Sequence, residues 1–123
     1  MVWSRPRVSG QIPTGRYGHS ATLLAHGKVL VFGGWGRAGC QSKEVIEDAN
    51  AHSIQVLDTN SMTWYVPKRN THKQVRHLYN HGAARMDTNG VVVFGGYDGR
   101  QACYEYVIIS LDIQESRAIS QGT

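Results

Sequence analysis

Val31-Phe32-Gly33-Gly34 recurs as Val93-Phe94-Gly95-Gly96, an offset of 62 residues in a chain of 123. The offset holds on the flanks. Tyr17, His19 and Ala21 fall on Tyr79, His81 and Ala83, and Val29 and Val31 fall on Val91 and Val93. A fixed period of this size is the mark of a repeat architecture, in which each unit packs on its neighbour. In both copies a β-branched and aromatic run stops at two glycines, where the backbone can turn left-handed or another chain can come close. Any fold for this chain must therefore use two similar units, each with a strand ending at a glycine pair.

The strands on either side of that pair follow from local pattern. Ser20-Ala-Thr-Leu-Leu24 and Lys28-Val-Leu-Val-Phe32 are apolar runs joined by His26-Gly27, which predicts a tight hairpin. The second copy repeats this with Gly82 to Met86, a turn through Thr88-Asn89-Gly90, and Val91 to Phe94. Asn-Gly is the signature of a type I′ turn, since both residues tolerate the left-handed region. An uninterrupted Val-Val-Val-Phe predicts a strand covered on both faces. A third strand is expected at Ser53–Leu57 ending at Asp58, matched by Tyr106–Leu111 ending at Asp112. Each aspartate is placed to cap a turn.

Trp64-Tyr65-Val66 completes the first unit as a fourth strand. Six residues beyond Asp112 the matching residue is Ala118, which predicts a weaker outer strand in the second unit. Trp3 stands almost one period before Trp64 and reads as the last strand of a preceding unit. The first unit carries about eight extra residues between its second and third strands, which lifts the period above the usual one of about 50. Fourteen glycines against three prolines, with 41% hydrophobic and 18% charged residues, suit a turn-dense, globular all-β chain. No apolar run approaches the length of a membrane span. The start, Met1 to Arg7, has no apolar stretch of the secretory kind, so the cytoplasm is the expected compartment.

Four antiparallel strands, Gly-Gly closing the second, Asp after the third and Trp in the fourth resemble the kelch repeat. Pro13-Thr-Gly-Arg-Tyr-Gly-His-Ser-Ala-Thr22 looks like the opening of a kelch blade. The expected fold class is all-β, a kelch-type β-propeller fragment of four-stranded antiparallel blades. Residues 1–12 are read as a terminal strand of a preceding blade with linker. Residues 13–67 are read as a complete blade with a long second-to-third-strand loop, and 68–123 as a linker and a second, nearly complete blade. Kelch blades close into rings that protect strand edges, and two blades do not close one. The resemblance therefore implies a longer chain, or self-association that completes a propeller.

Several other motifs point to chemistry. Gly34-Trp-Gly-Arg-Ala-Gly39 is a literal G-x-G-x-x-G after a strand, the glycine pattern of a dinucleotide turn. The second copy keeps only the glycine pair, so a structural role in the repeat accounts for both copies and the nucleotide reading for one. Glu44, Asp48 and His52 are spaced four apart, which on a helix would align two carboxylates and an imidazole as metal ligands. That spacing is similar to the iron-associated motif of plant specifier proteins, themselves kelch propellers. The bland alternative is a solvated loop. His72, His77 and His81 cluster within ten residues. His81 is the repeat partner of His19 and is expected to hydrogen-bond at the blade opening, while the other two sit in a polar linker. The basic run Lys68 to Arg76 reads as a solvated connection, not a nucleic-acid patch. Cys40 and Cys103 have no metal-ligand spacing and fall on equivalent loops, bridged or not.

The resemblance implies a non-catalytic module or scaffold that binds protein partners through blade loops, with no cofactor, nucleic acid or membrane involved. Gly33, Gly34, Trp64, Gly95 and Gly96 are the structural residues of the repeat. Trp35, Arg37, Tyr97 and Arg100 follow the two glycine pairs and so share one face. Their mix of aromatics and arginine is the composition of binding hot spots. The rival class is an iron-dependent specifier-type or other kelch enzyme using Glu44, Asp48 and His52.

Overall fold

The computed structural model of the chain describes residues 1–36, 54–69, 77–112 and 117–122, and of residues 68, 69, 112 and 117–122 the backbone. Apart from one 3₁₀ turn at Ala25–Gly27, the regular structure of the described residues is all β. The first sheet contains β1 (Ser9–Gly10), β3 (Ser20–Leu23), β4 (Lys28–Phe32), β6 (Ile54–Asp58) and β7 (Thr63–Tyr65). The second contains β8 (Lys68–Arg69), β9 (Gly82–Arg85), β10 (Gly90–Phe94), β11 (Tyr106–Asp112) and β12 (Arg117–Gly122). Two short strands, β2 (Arg16–Tyr17) and β5 (Trp35–Gly36), pair with each other.

Both sheets have the same order. In the first it runs β3-β4-β6-β7 with β1 outermost, and in the second β9-β10-β11-β12 with β8 outermost. The four long strands are antiparallel, as expected from the sequence. The fifth was not expected. It is the segment leading into the unit, and it runs parallel to the fourth strand, Ser9 beside Thr63 and Lys68 beside Arg117. An open edge would offer unpaired amides and carbonyls to any passing chain, and this segment occupies it. Trp3, read as part of a terminal strand, lies outside every strand and is exposed.

Register corrects three expectations. Phe32 faces Ile54 and Phe94 faces Tyr106, so the first unit's second-to-third-strand connection is ten residues longer, not eight. Val29 faces Leu57 and Val91 faces Ile109, so Ser110, not Asp112, occupies the place of Asp58. Likewise Leu57 faces Trp64 and Ile109 faces Ser120, so Trp64 corresponds to Ser120 and not to Ala118. The cause is that β11 is seven residues long and β6 five, which carries the turn aspartate two positions past the ladder. The outer strand expected to be weaker pairs at six positions, against three for β7.

The core lies between the two sheets. Successive side chains on a strand face opposite ways. Leu30 and Phe32 of β4, with Ile54 and Val56 of β6, meet Val91 and Val93 of β10 with Ile109 and Leu111 of β11. Leu24 and Leu78 belong to the same core. Phe32 is fully buried and contributes about 2–3 kcal/mol. Trp64 is only partly buried. The run Val91–Phe94 is covered on one face and not on both: Val91 and Val93 are buried, but Phe94 is 52% exposed.

The first hairpin turn is the tight turn expected, and the second differs from expectation. His26 (φ 60°) and Gly27 (φ 68°) form the left-handed pair, whereas neither Asn89 nor Gly90 has a positive φ. The second turn is held by Asp87, whose Oδ1 accepts the Asn89 amide at 3.1 Å. Asn89 is committed to the third strand instead. Its carbonyl accepts the Leu111 amide at 2.8 Å and its Nδ2 donates to the Leu111 carbonyl at 3.0 Å.

Candidate functional site

Each glycine pair ends a long strand and sends the chain across the opening segment of the same unit. The backbone is nearly the same in both copies, with φ of 67° and 96° at Gly33 and Gly34 and 69° and 89° at Gly95 and Gly96. Left-handed backbone of this kind favours glycine. The second glycine of each pair lies against its own unit's histidine. A Cβ on Gly34 would sit 2.8 Å from the His19 Cβ, and one on Gly96 would sit 2.8 Å from the His81 Cβ. The first glycines differ. A Cβ on Gly33 would run into the Leu78 carbonyl of the second unit, while at Gly95 the nearest atom is the Cys103 carbonyl oxygen at 3.9 Å.

Beyond the glycines the chain crosses back and pairs. Tyr17 faces Trp35 in the first unit and Tyr79 faces Tyr97 in the second, the latter with amide-to-carbonyl bonds of 3.0 Å both ways. The rings then meet between units. Trp35 lies 4.9 Å from Tyr79, and Tyr79 lies 5.4 Å from Tyr97, tilted or edge to face. These are favourable aromatic geometries, and they make one row across the junction. Tyr17, 62% exposed, flanks it. In the turn after Tyr97, Asp98 Oδ1 accepts the amides of Arg100 and Gln101 at 2.8 and 2.9 Å, and Arg100 stays exposed.

Of the residues singled out from sequence, Trp35 and Tyr97 are linked through Tyr79, and Arg100 lies in the turn that follows Tyr97. Arg37 lies outside the described residues, as do Glu44, Asp48, His52, Cys40 and His72. Tyr79 was missed, although the 62-residue offset makes it the partner of Tyr17. The strand before Gly34 is held by β3 and β6 on its two sides, as in a hairpin sheet and not a dinucleotide βαβ unit. Among the described residues, no group of three or more His, Cys, Asp or Glu side chains is placed to hold a metal ion. No helix among them is long and apolar enough to cross a membrane.

Residues 77–81 seat the row on the first unit. The Gly34 amide donates to the Leu78 carbonyl and the Asn80 amide to the Gly18 carbonyl, both at 2.8 Å. His77 Nε2 donates to the Gly34 carbonyl at 2.6 Å, so this residue is a junction contact and not part of a solvated linker. His81 Nε2 meets Ser20 Oγ at 2.8 Å, and its ring stands edge-on to Phe32 at 5.0 Å. Burial lowers the pKa of both imidazoles. For His77 the Gly34 carbonyl opposes that shift and the Arg16 charge adds to it. For His81 the Leu78 carbonyl opposes it and His77 and His19 add to it. Arg16 ties the opening of the first unit together, Nη1 donating to the Gly33 carbonyl at 3.3 Å and Nη2 to the buried Gln55 Oε1 at 3.0 Å. Its repeat partner is Leu78, which enters the core.

The sequence that builds these two sheets matches known proteins along the chain. Residues 1–122 fit the family model described as the KLHDC2/KLHL20/DRC7 Kelch-repeats domain. The chain belongs to the kelch-repeat family. It is similar to Kelch domain-containing protein 3 of Rattus norvegicus, 38% identical over 96 residues, covering 76% of this chain and 22% of that protein. Rab9 effector protein with kelch motifs of Mus musculus is 36% identical over 67 residues, covering 54% of this chain and 16% of its own. Host cell factor of Drosophila melanogaster is 36% identical over 73 residues, covering 52% of this chain and 4% of its own. The kelch chain thus spans about a fifth, or less, of these relatives' length. Each sheet is a kelch blade, and the fold is a fragment of a kelch-type propeller.

Proposed function

We propose that this kelch chain is a non-catalytic protein-interaction module that binds its partner at the end where the twin glycines lie. The observation that carries this is the row Trp35–Tyr79–Tyr97, which spans both blades and is flanked by exposed Tyr17 and Arg100. Rigid aromatic rings beside an arginine supply large contact area at low entropic cost. Kelch repeats in general serve protein–protein contact, and one relative carries the word effector in its name. The uncovered trailing face of the second blade, centred on Phe94 and Tyr106, supports a further blade packing there. Phe32 and Ile54 hold the same positions in the first blade and are covered by the second.

Affinity capture with mass spectrometry on three forms tests the binding reading: the unaltered chain, a Trp35→Ala/Tyr79→Ala variant, and Asn60→Ala at the opposite, hairpin end. Partners retained by Asn60→Ala and lost from the aromatic variant are the expected result. Equal recovery from all three would show that the aromatic row is not the binding surface.

A further inference from the structure

Tyr79, the middle ring of the aromatic row, sits between the two histidines that fasten its segment to the first blade. His77 holds the Gly34 carbonyl and His81 holds the Ser20 hydroxyl, on either side of the backbone bonds from Gly34 and Asn80. The charged groups acting on these rings among the described residues are Arg16 and His19 of the first blade and the two imidazoles themselves. All are cationic or become so on protonation. With Nε2 of His77 donating, its buried Nδ1 has no hydrogen-bond partner, so an added proton there meets no acceptor. The His81 ring packs against the fully buried Phe32 ring at 5.0 Å, which keeps water from an imidazolium on that side.

We propose that residues 77–81 form a proton-sensitive clasp: charging His77 and His81 lifts this segment off the first blade and parts Tyr79 from Trp35. This rests on the reading of the aromatic row as the binding surface, and it makes that surface available at neutral pH and disassembled in mild acid. The clasp has the parts such a switch requires. Two half-buried imidazoles lie on one short segment, like charges face them, and a functional ring lies between them. The direction follows from linkage. Both imidazoles have lowered pKa values, so the seated segment is favoured above the unperturbed value of about 6.5 and loses that advantage as pH falls below it.

The test is nuclear magnetic resonance of the chain without any partner, following imidazole ¹⁵N shifts and the Trp35–Tyr79 ring contact from about pH 7.5 down to about 5. The expected result is loss of the ring contact with midpoints that coincide with those of His77 and His81, below the ordinary histidine value. A His77→Gln/His81→Gln variant keeps an amide for each hydrogen bond but takes up no proton, and its ring contact should survive the titration. His26→Gln, in the exposed hairpin, should titrate like the unaltered chain. A ring contact that persists after both imidazoles are charged overturns the clasp. So does a contact whose midpoint follows neither histidine, a measurement that needs no variant. Because no partner is present, either failure leaves the binding reading standing, and that reading fails separately through the capture experiment.

Discussion

Phe32 and Phe94 occupy the same place in the same four-residue motif, on the same strand, opposite equivalent residues of the third strand. One is fully buried and the other is 52% exposed. The first has a blade beyond it and meets the His81 ring of that blade at 5.0 Å. The second folds over Gly82 of its own hairpin, so closely that a Cβ there would sit 2.5 Å from the Phe94 ring. The glycines show the same contrast. Gly33 and Gly95 share a backbone conformation, but only Gly33 is pressed by a neighbouring blade. A repeat residue therefore has two kinds of role. One is set by its own blade and is the same in every copy. The other is set by the next blade and differs from copy to copy.

Substitutions in pairs can break that comparison. The largest difference is expected for phenylalanine. Phe32→Ala should cost about 3–5 kcal/mol through the cavity left between blades, and Phe94→Ala about 1 kcal/mol or less. Urea unfolding of the two variants measures this, and equal costs would mean that the trailing face is covered in solution. Next come the glycines. Gly33→Ala should cost about 2–4 kcal/mol, from left-handed strain plus collision with the Leu78 carbonyl, and Gly95→Ala about 1–2 kcal/mol, from strain alone. Gly34→Ala and Gly96→Ala, each against its own histidine, should cost about the same as one another.

A smaller effect concerns an ion pair of the first blade whose two positions hold uncharged residues in the second. Lys28 Nζ donates to Asp58 Oδ2 at 2.6 Å, whereas Gly90 and Ser110 hold the corresponding places in the second blade. The Lys28 bond, the Asn60 amide and the Lys28 charge hold the Asp58 carboxyl below its ordinary value, with burial opposing them. Its contribution is therefore present above about pH 3.8 and is lost as pH falls through the lowered pKa. Asp58→Asn should cost about 1 kcal/mol or less at neutral pH, the pair being partly exposed. That cost should shrink in acid, as thermal unfolding of both forms at about pH 7 and about pH 2.5 would show. A change of similar size is expected in the second hairpin turn. Asn89→Ala removes the Nδ2 bond to the Leu111 carbonyl and should cost about 1 kcal/mol. It should not impose the strain of losing a type I′ residue.

The hairpins β3–β4 and β9–β10 were legible because both strands and the turn lie within one short window of sequence. Beyond the glycines, legibility declined. The third and fourth strands return after connections of unequal length, and matching the turn aspartates put Asp112 and Ala118 two residues off the ladder. Hydrogen-bond register is set by the whole strand pair and not by a marker in the following turn. Of the site, Trp35, Tyr97 and Arg100 were visible from their position after Gly-Gly. Tyr79 and His77 were not, because each acts on the other blade.

What the sequence determined by itself was the repeat: two blades, a glycine pair closing the second strand of each, and aromatic residues just past it. Periodicity and left-handed glycines are local properties, and local steric rules are enough to read them. Only the tertiary structure decided which copy of each motif is buried. Burial depends on what lies across the sheet, and Val31-Phe32-Gly33-Gly34 has a blade there while Val93-Phe94-Gly95-Gly96 does not. The same fact joined Trp35 to Tyr79 and so placed the candidate site at the junction of the blades, not within either one.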